Sequence, residues 1–196
     1  MDVVATLLRS AGGQPIRFFQ HTGRQRTAMA TFDDLELTFE YPDDWEVDVQ
    51  AAGVEQAVTV SSPGSAFAMI SLIGDRPAPQ HVLRTAEAAL REEYPDCEVE
   101  RPDATLAGYE ADACEIDFTC HDLVTHAGLK AIVTDRRTVL LMTQRADIEA
   151  DEAEPAFDQI AASLTLASGE TAAEEVSGGE PAVDELLGGG WSDGVE

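Results

Sequence analysis

The alternation of apolar and polar positions predicts a β-strand early in the chain. Every second residue from 35 to 41 is apolar, the residues between them are polar or charged, and Pro42 ends the run. A period of two residues is typical of a strand with one buried face. The same alternation continues through Trp45, Val47 and Val49, and it predicts a second strand after a turn at Pro42-Asp43-Asp44.

Two later segments are apolar at nearly every position. Residues 66–73 and 138–142 would present apolar side chains on both faces of a strand, so we expect both to lie in the middle of a sheet. Val58 and Val60 mark another strand at residues 57–61. The other predicted strands form two hairpins, residues 97–106 with 110–120 and residues 129–134 with 138–144.

Two segments have the 3.6-residue spacing of amphipathic helices. The first begins after Pro77 and Pro79 and reaches Tyr94, and the second covers residues 152–164, with Pro155 in its first turn. Strands dominate on either side of the first helix, and the second helix follows the last strand. The pattern therefore predicts an α+β fold, an antiparallel sheet of about six to eight strands with helices packed on its faces.

The charge of the chain is strongly negative and unevenly distributed. The formal net charge is −26, but residues 1–30 carry four arginines against one aspartate, a net charge of +3. Residues 168–196 carry eight acidic side chains and no basic one. We therefore predict three regions: a weakly ordered basic arm or upstream extension at 1–30, the α+β domain at 31–167, and a disordered acidic tail at 168–196.

The negative net charge excludes some classes of binding partner. A negative field repels phosphate backbones and anionic lipid surfaces, so we expect no nucleic-acid partner. No stretch approaches the apolar length of a membrane span, the start of the chain does not read as a secretory signal, and three cysteines do not suit a disulfide framework. We expect a cytoplasmic protein with an unknown protein partner, monomeric or weakly dimeric, and without a cofactor.

One cluster carries residue types that bind metal. Cys120, His121 and His126, together with Asp122, offer thiol, imidazole and carboxylate groups within seven residues. Neighbours on a strand point to opposite faces, however, so Cys120 and His121 would not readily share one ion. We predict no metal site, and these three residues are the candidates if one exists.

Carboxylates two residues apart form a second chemical candidate. Glu115 and Asp117 would share one face of a strand and could act as an acid/base pair. In a chain with 38 acidic residues such pairs are common and usually solvated. We therefore predict no catalytic residue.

Aromatic and apolar residues provide the candidates for partner binding. Tyr41 and Trp45 flank the first turn and could line a binding surface, although Trp45 could instead close the end of the sheet. The acidic tail contains a short apolar group that could fold on a partner. Its members are Val183, Leu186, Leu187 and Trp191.

The order of these elements resembles the PsbP-like fold, which is shared by the extrinsic photosystem II protein, DcrB-like bacterial proteins and the Eag-type chaperones of type VI secretion. The resemblance covers about residues 31–167. It rests on Phe39-Glu40-Tyr41-Pro42-Asp43-Asp44-Trp45, the strand pair that ends with residues 66–73, the helix after Pro77, Thr105-Leu106-Ala107-Gly108-Tyr109-Glu110-Ala111, and the last helix with Phe157 and Ile160.

The resemblance implies an antiparallel sheet covered by helices and a family without conserved catalytic machinery. Its members bind a membrane protein complex, a small GTPase or the hydrophobic helices of secreted effectors. Three hypotheses follow for this chain. It is a non-enzymatic cytoplasmic protein-binding module, a chaperone or adaptor for hydrophobic segments of secreted or membrane proteins, or a metal-dependent enzyme centred on His121 and His126.

Overall fold

The computed structural model describes residues 28–52, 55–167 and 169–171. The strands in these residues are β1 (Met29–Asp34), β2 (Leu37–Pro42), β3 (Glu46–Ala52), β4 (Glu55–Ser61), β5 (Phe67–Ile73), β6 (Glu98–Glu100), β7 (Ala104–Leu106), β8 (Tyr109–Cys120), β9 (Leu123–Val133), β10 (Thr138–Ala146) and β11 (Thr165–Leu166). The helices are α1 (Pro79–Glu93) and α2 (Ala150–Ser163), and a 3₁₀ turn at Asp147–Glu149 precedes α2. The predicted α+β class is confirmed.

The strands form two antiparallel sheets. The large sheet has the order β3-β4-β5-β10-β9-β8-β6, and β7 also pairs with β8. The small sheet has the order β1-β2-β11. Hairpins join β3 to β4, β4 to β5, β8 to β9 and β9 to β10. Strands β5 and β10 also lie side by side, although α1 and β6–β9 separate them along the chain.

Both faces of the large sheet are covered in its centre. On one face, Val82, Leu83, Ala86 and Leu90 of α1 pack against alternate residues of β8, β9 and β10. On the other, α2 and the small sheet pack against the opposite residues of β4, β5 and β10. Strands β5 and β10 are therefore apolar on both faces, and their predicted central position is confirmed.

The first hairpin differs from the sequence prediction. Leu35 continues the apolar alternation, but it lies in a turn with Glu36, and φ is positive at both residues, 53° and 61°. Two-residue hairpin turns favour this backbone conformation because its twist matches that of the paired strands. The strand predicted from residue 35 therefore begins at Leu37 as β2, and it pairs with the additional strand β1, with Phe32 opposite Phe39.

Two other boundaries also move. Strand β9 begins at Leu123, six residues before the predicted start at 129. Helix α2 begins at Ala150 instead of residue 152, so that Pro155 lies inside the helix and not in its first turn.

The folded region extends past the predicted limits of 31 and 167. Strand β1 begins at Met29, and Glu170 is buried although it belongs to the segment predicted as tail. Glu170 forms an ion pair with Arg137, the residue directly before β10. Residues 1–27 and 172–196 lie outside the described residues.

Candidate functional site

Strand β3 forms an edge of the large sheet that has no strand beyond it in the described part of the chain. Its seven residues pair with β4 alone, in a register that places Val47 opposite Val60 and Val49 opposite Val58. The outer side of an edge strand presents backbone N–H and C=O groups that have no partner within the sheet. The outer side of β3 could therefore pair with another extended chain through these backbone groups.

Apolar side chains emerge along one face of β3. Trp45, just before the strand, is 9% exposed, whereas Val47 is 36% and Val49 is 44% exposed. Their partners on β4, Val58 and Val60, belong to the core beneath α2. The apolar row of β3 thus begins at Trp45, which α2 covers, and ends at Val47 and Val49, which are exposed to solvent.

Acidic side chains occupy the opposite face of the same strand. Glu46 and Asp48 alternate with the two valines and are exposed. Gln50 follows on this face and donates from Nε2 to Oδ2 of Asp48 at 3.0 Å. Residues 46–51, here called the β3 edge, therefore carry one apolar face and one negatively charged face.

The opposite edge of the large sheet is built differently. There, β8 is flanked by β6 and β7, which have three residues each. Short edge strands limit the length over which another chain can pair. The β3 edge is thus the longer exposed margin of this sheet.

The two aromatic candidates precede β3 along the chain, Tyr41 within β2 and Trp45 directly before β3. Trp45 is largely buried and makes an edge-to-face contact with Phe157 of α2, with ring centroids 5.8 Å apart. This position matches the alternative in which Trp45 closes the end of the sheet. Tyr41 is half-buried, and its ring lies 6.1 Å from that of Phe39. A binding role for either residue stays a prediction.

The three metal candidates are not brought together. Cys120 packs with the residues beneath α1, whereas His126 pairs with Asp117 on the other face of the sheet. His121 lies in the β8–β9 turn with Asp122, where φ is positive at both residues. At about 3.3 Å per strand residue, His126 is on the order of 10 Å from this turn. Within residues 28–52, 55–167 and 169–171, no three His, Cys, Asp or Glu side chains cluster as a metal site would require.

The candidate carboxylates Glu115 and Asp117 lie on one strand face, and Asp117 is paired with His126. Asp117 and Glu115 share the uncovered part of the α2-side face, as the alternation predicted. Nδ1 of His126 lies 2.8 Å from Oδ1 of Asp117, and both side chains remain partly open to solvent. Arg145, opposite His126 on β10, contacts Glu154 instead. The His126–Asp117 contact is thus a hydrogen bond between neighbouring strands at the surface, whereas the Arg145–Glu154 ion pair joins β10 to α2.

The thiols face the core beneath α1. Cys97 and Cys114 are buried, and Cys120 is half-buried. Burial raises the pKa of the Cys114 thiol, and the negative charge of Glu87 raises it further, although Arg101 and Arg91 act against this. A raised pKa lowers the thiolate fraction, so Cys114 is a poor nucleophile at neutral pH.

A buried ion pair was not predicted from the sequence. Glu170 accepts hydrogen bonds from Arg137 and from Oγ1 of Thr134, and Arg137 also contacts Glu36. The sequence predicts residues 135–137 only as the connection between the hairpin strands at 129–134 and 138–144. The tail candidates Val183, Leu186, Leu187 and Trp191 lie outside the described residues.

No protein-family model matches the chain. No curated protein matches it either. In the part of the chain that the structure describes, no helix combines the length and the apolar composition needed to cross a membrane.

Several solved structures are similar to this chain. The cyanobacterial PsbP of Synechocystis matches with 14% identity and a TM-score of 0.45, covering 76% of this chain and 98% of that protein. LpqN of Mycobacterium tuberculosis, a protein involved in cell envelope biogenesis, matches with 17% identity and a TM-score of 0.42, covering 73% and 92%. A Pseudomonas aeruginosa protein of unknown function matches with 18% identity and a TM-score of 0.39, covering 67% and 92%. The resemblance to PsbP named from the sequence is thus found among solved structures, and matches of this strength carry no argument about activity.

Proposed function

We propose that this chain is a non-enzymatic protein-binding module and that the β3 edge is the surface through which it holds its partner. The observation that carries the proposal is the exposure of Val47 and Val49 on a seven-residue edge strand. In monomeric proteins, long edge strands with exposed apolar side chains are usually blocked or covered. An edge left open in this way is typical of a surface that pairs with another chain.

The chemistry of the polar residues favours binding over catalysis. His126 and Asp117 form a partly exposed hydrogen-bonded pair, and Cys120 lies on the other face of the sheet. Catalytic groups usually converge in a cleft where burial and neighbouring charges perturb their pKa values. The His126–Asp117 pair lies instead on an open sheet surface.

We place this binding in the cytoplasm. None of the three cysteines, all of which lie in the described residues, forms a disulfide. Free thiols persist in a reducing compartment. The net charge of −26 directs the choice of partner toward basic proteins and away from nucleic acid.

A chaperone for hydrophobic helices is less well supported. The exposed large apolar side chains among the described residues are Met29, Val47, Val49, Val124 and Ile148. Of these, only Val47 and Val49 lie two residues apart on one strand face. An amphipathic helix needs a broader apolar groove to bury its own apolar face.

Affinity capture with the full chain tests the proposal. Wild-type protein and the Val47→Lys/Val49→Lys variant would be used as bait in extract from the native cells, because lysine on an edge strand opposes strand pairing. Val124→Lys/Ile148→Lys is the matched control, since it makes the same charge change at exposed apolar sites elsewhere.

We expect a partner that wild-type protein and the control capture and that the β3 variant loses, while circular dichroism shows all three folded. A partner captured equally by all three proteins would contradict binding at the β3 edge. Absence of any partner of the wild-type chain would contradict the function itself.

A further inference from the structure

We propose that the β3 edge binds an extended segment of another protein in which lysine or arginine alternates with β-branched apolar residues, and that this segment adds to the large sheet as a further strand. The inference rests on the proposed function and specifies its partner and binding mode. Strand addition uses backbone hydrogen bonds for affinity and alternate side chains for specificity. The β3 edge offers both.

Strand β3 can accept a further strand because of its position at the edge of the large sheet. It is seven residues long, is paired on one side by β4, and has no neighbour on its other side among the described residues. A partner strand of five to seven residues would continue the hydrogen-bonded ladder. Such a strand would be about 17–20 Å long, which is the usual length of strands in globular proteins.

The two faces of β3 select the side chains of such a strand. Residues directly opposite each other in paired strands point to the same face of the sheet. A partner strand would therefore place every second side chain beside Val47 and Val49, and the intervening ones beside Glu46 and Asp48. Apolar residues suit the first row and basic residues suit the second, which is the alternation we propose.

Charge argues against a second copy of this chain as the occupant. Pairing two β3 strands would bring Glu46 and Asp48 of one copy beside the same residues of the other, in chains that each carry a net charge of −26. Like charges directly opposite each other destabilise a strand pair. A basic segment from a different protein removes this repulsion.

Synthetic peptides test the inference on the full chain. The probe is a nine-residue peptide that alternates lysine and valine. One comparison peptide has the same composition with its valines contiguous, and another alternates glutamate and valine. Fluorescence anisotropy gives affinities, and amide hydrogen exchange by NMR locates the contact.

We expect saturable binding of the lysine–valine peptide only, slower exchange of β3 amides in its presence, and weaker binding as salt is added. Val47→Thr/Val49→Thr should weaken binding about tenfold, because it removes two apolar contacts while keeping β-branched side chains. Glu46→Gln/Asp48→Asn should weaken binding about fivefold, the effect of two surface ion pairs.

Matched controls separate these effects from general ones. Val124→Thr makes one such apolar change at a more exposed valine of β9, 55% exposed. Glu92→Gln/Asp96→Asn makes the same charge change at two exposed residues near the end of α1. Both controls should bind the peptide as the wild-type protein does.

Several outcomes would overturn the inference. They are equal binding of the contiguous-valine peptide, slowed exchange at amides outside β3, and self-association of the chain that Val47→Lys/Val49→Lys abolishes. A further one is tighter peptide binding by Arg24→Gln/Arg26→Gln, which would identify the chain's own residues as the occupant. If the captured partner is lost with Val47→Lys/Val49→Lys but the peptide does not bind, the proposed function stands and strand addition is wrong.

Discussion

Arg137 donates hydrogen bonds to both carboxylate oxygens of Glu170, from Nε to Oε1 at 3.1 Å and from Nη2 to Oε2 at 2.9 Å. The Glu170 side chain is fully buried, and Oγ1 of Thr134 donates to its Oε1 at 2.6 Å. Burial by itself lowers the pKa of Arg137, but the hydrogen bond and charge of Glu170 outweigh it, so that the pKa is raised. This contact fastens the segment after β11 to the start of β10.

Glu170→Gln should lower the free energy of unfolding by about 3 kcal/mol, because it leaves a largely buried guanidinium without its main counter-charge. Urea unfolding followed by circular dichroism measures the change. Glu36→Gln is the control, since Glu36 contacts the same guanidinium but its side chain is 50% exposed. That substitution should cost less than about 1 kcal/mol. Equal losses in the two variants would show that burial of Glu170 adds nothing.

Trp45→Ala should destabilise the fold by about 3 kcal/mol, because it leaves a cavity beside Phe157. Val49→Ala removes a side chain that is 44% exposed, and it should change stability by no more than about 0.5 kcal/mol. Thermal or urea unfolding distinguishes the two variants. If Trp45→Ala leaves stability intact but abolishes capture of the partner, Trp45 belongs to the binding surface and not to the core.

Gly64→Ala should destabilise the loop between β4 and β5. A Cβ atom at Gly64 would clash with Oε1 of Glu149, so that carboxylate would have to move. Glu149 accepts hydrogen bonds from the backbone N–H of Ser65, at 2.8 Å, and from its hydroxyl. Their loss should cost about 1–2 kcal/mol in urea unfolding.

A double-mutant cycle checks the cause of that loss. In a Glu149→Ala background, the Gly64→Ala substitution meets no carboxylate and should cost less than it does alone. An undiminished cost in that background would point to the backbone of Gly64 instead of the contact with Glu149.

Stability should fall at alkaline pH because of Cys114. Its pKa is raised in the folded protein, chiefly by burial, so the native state holds the thiol proton more tightly than the unfolded chain does. The contribution of Cys114 to the free energy of unfolding is therefore complete below about pH 9, where an unfolded thiol titrates. This contribution is lost as the pH rises through the raised pKa of the native state.

Urea unfolding between pH 8 and pH 10 measures this decline. Cys114→Ala should be less stable throughout because of lost packing, but its stability should fall less steeply with pH. Tyr94 is retained in both proteins, because burial and a hydrogen bond to Cys120 also raise its pKa. A decline of equal slope in the two proteins would assign the alkaline effect to other groups.

The identity of most elements follows from local patterns. Residues of β5 and β10 are apolar on both faces, and this predicted their central place because only a strand covered on both sides can bury both rows. The stripe of Val82, Ala86 and Leu90 predicted α1, because residues three and four apart share a helix face.

Errors arose where a local pattern and a tertiary constraint disagreed. Leu35 fits the strand alternation, yet it lies in a turn because β1 must fold back for Phe32 to stack on Phe39, with ring centroids 5.0 Å apart. The sequence did not predict the first residues of β9, because apolar Val124 is exposed there while polar Thr125 is buried. The apolar and polar positions therefore do not alternate as they do in a strand with one buried apolar face.

The chain's own order of residues was enough to establish the α+β class, the central strands and the two helices, because strand and helix periods are properties of neighbouring residues. It did not distinguish β3 as an edge strand, since Val47 and Val49 alternate with polar residues as buried rows also do. Nor did it pair Arg137 with Glu170, which lie 33 residues apart. Both features depend on which distant segments come to lie side by side, and that is settled only when the strands and helices pack together.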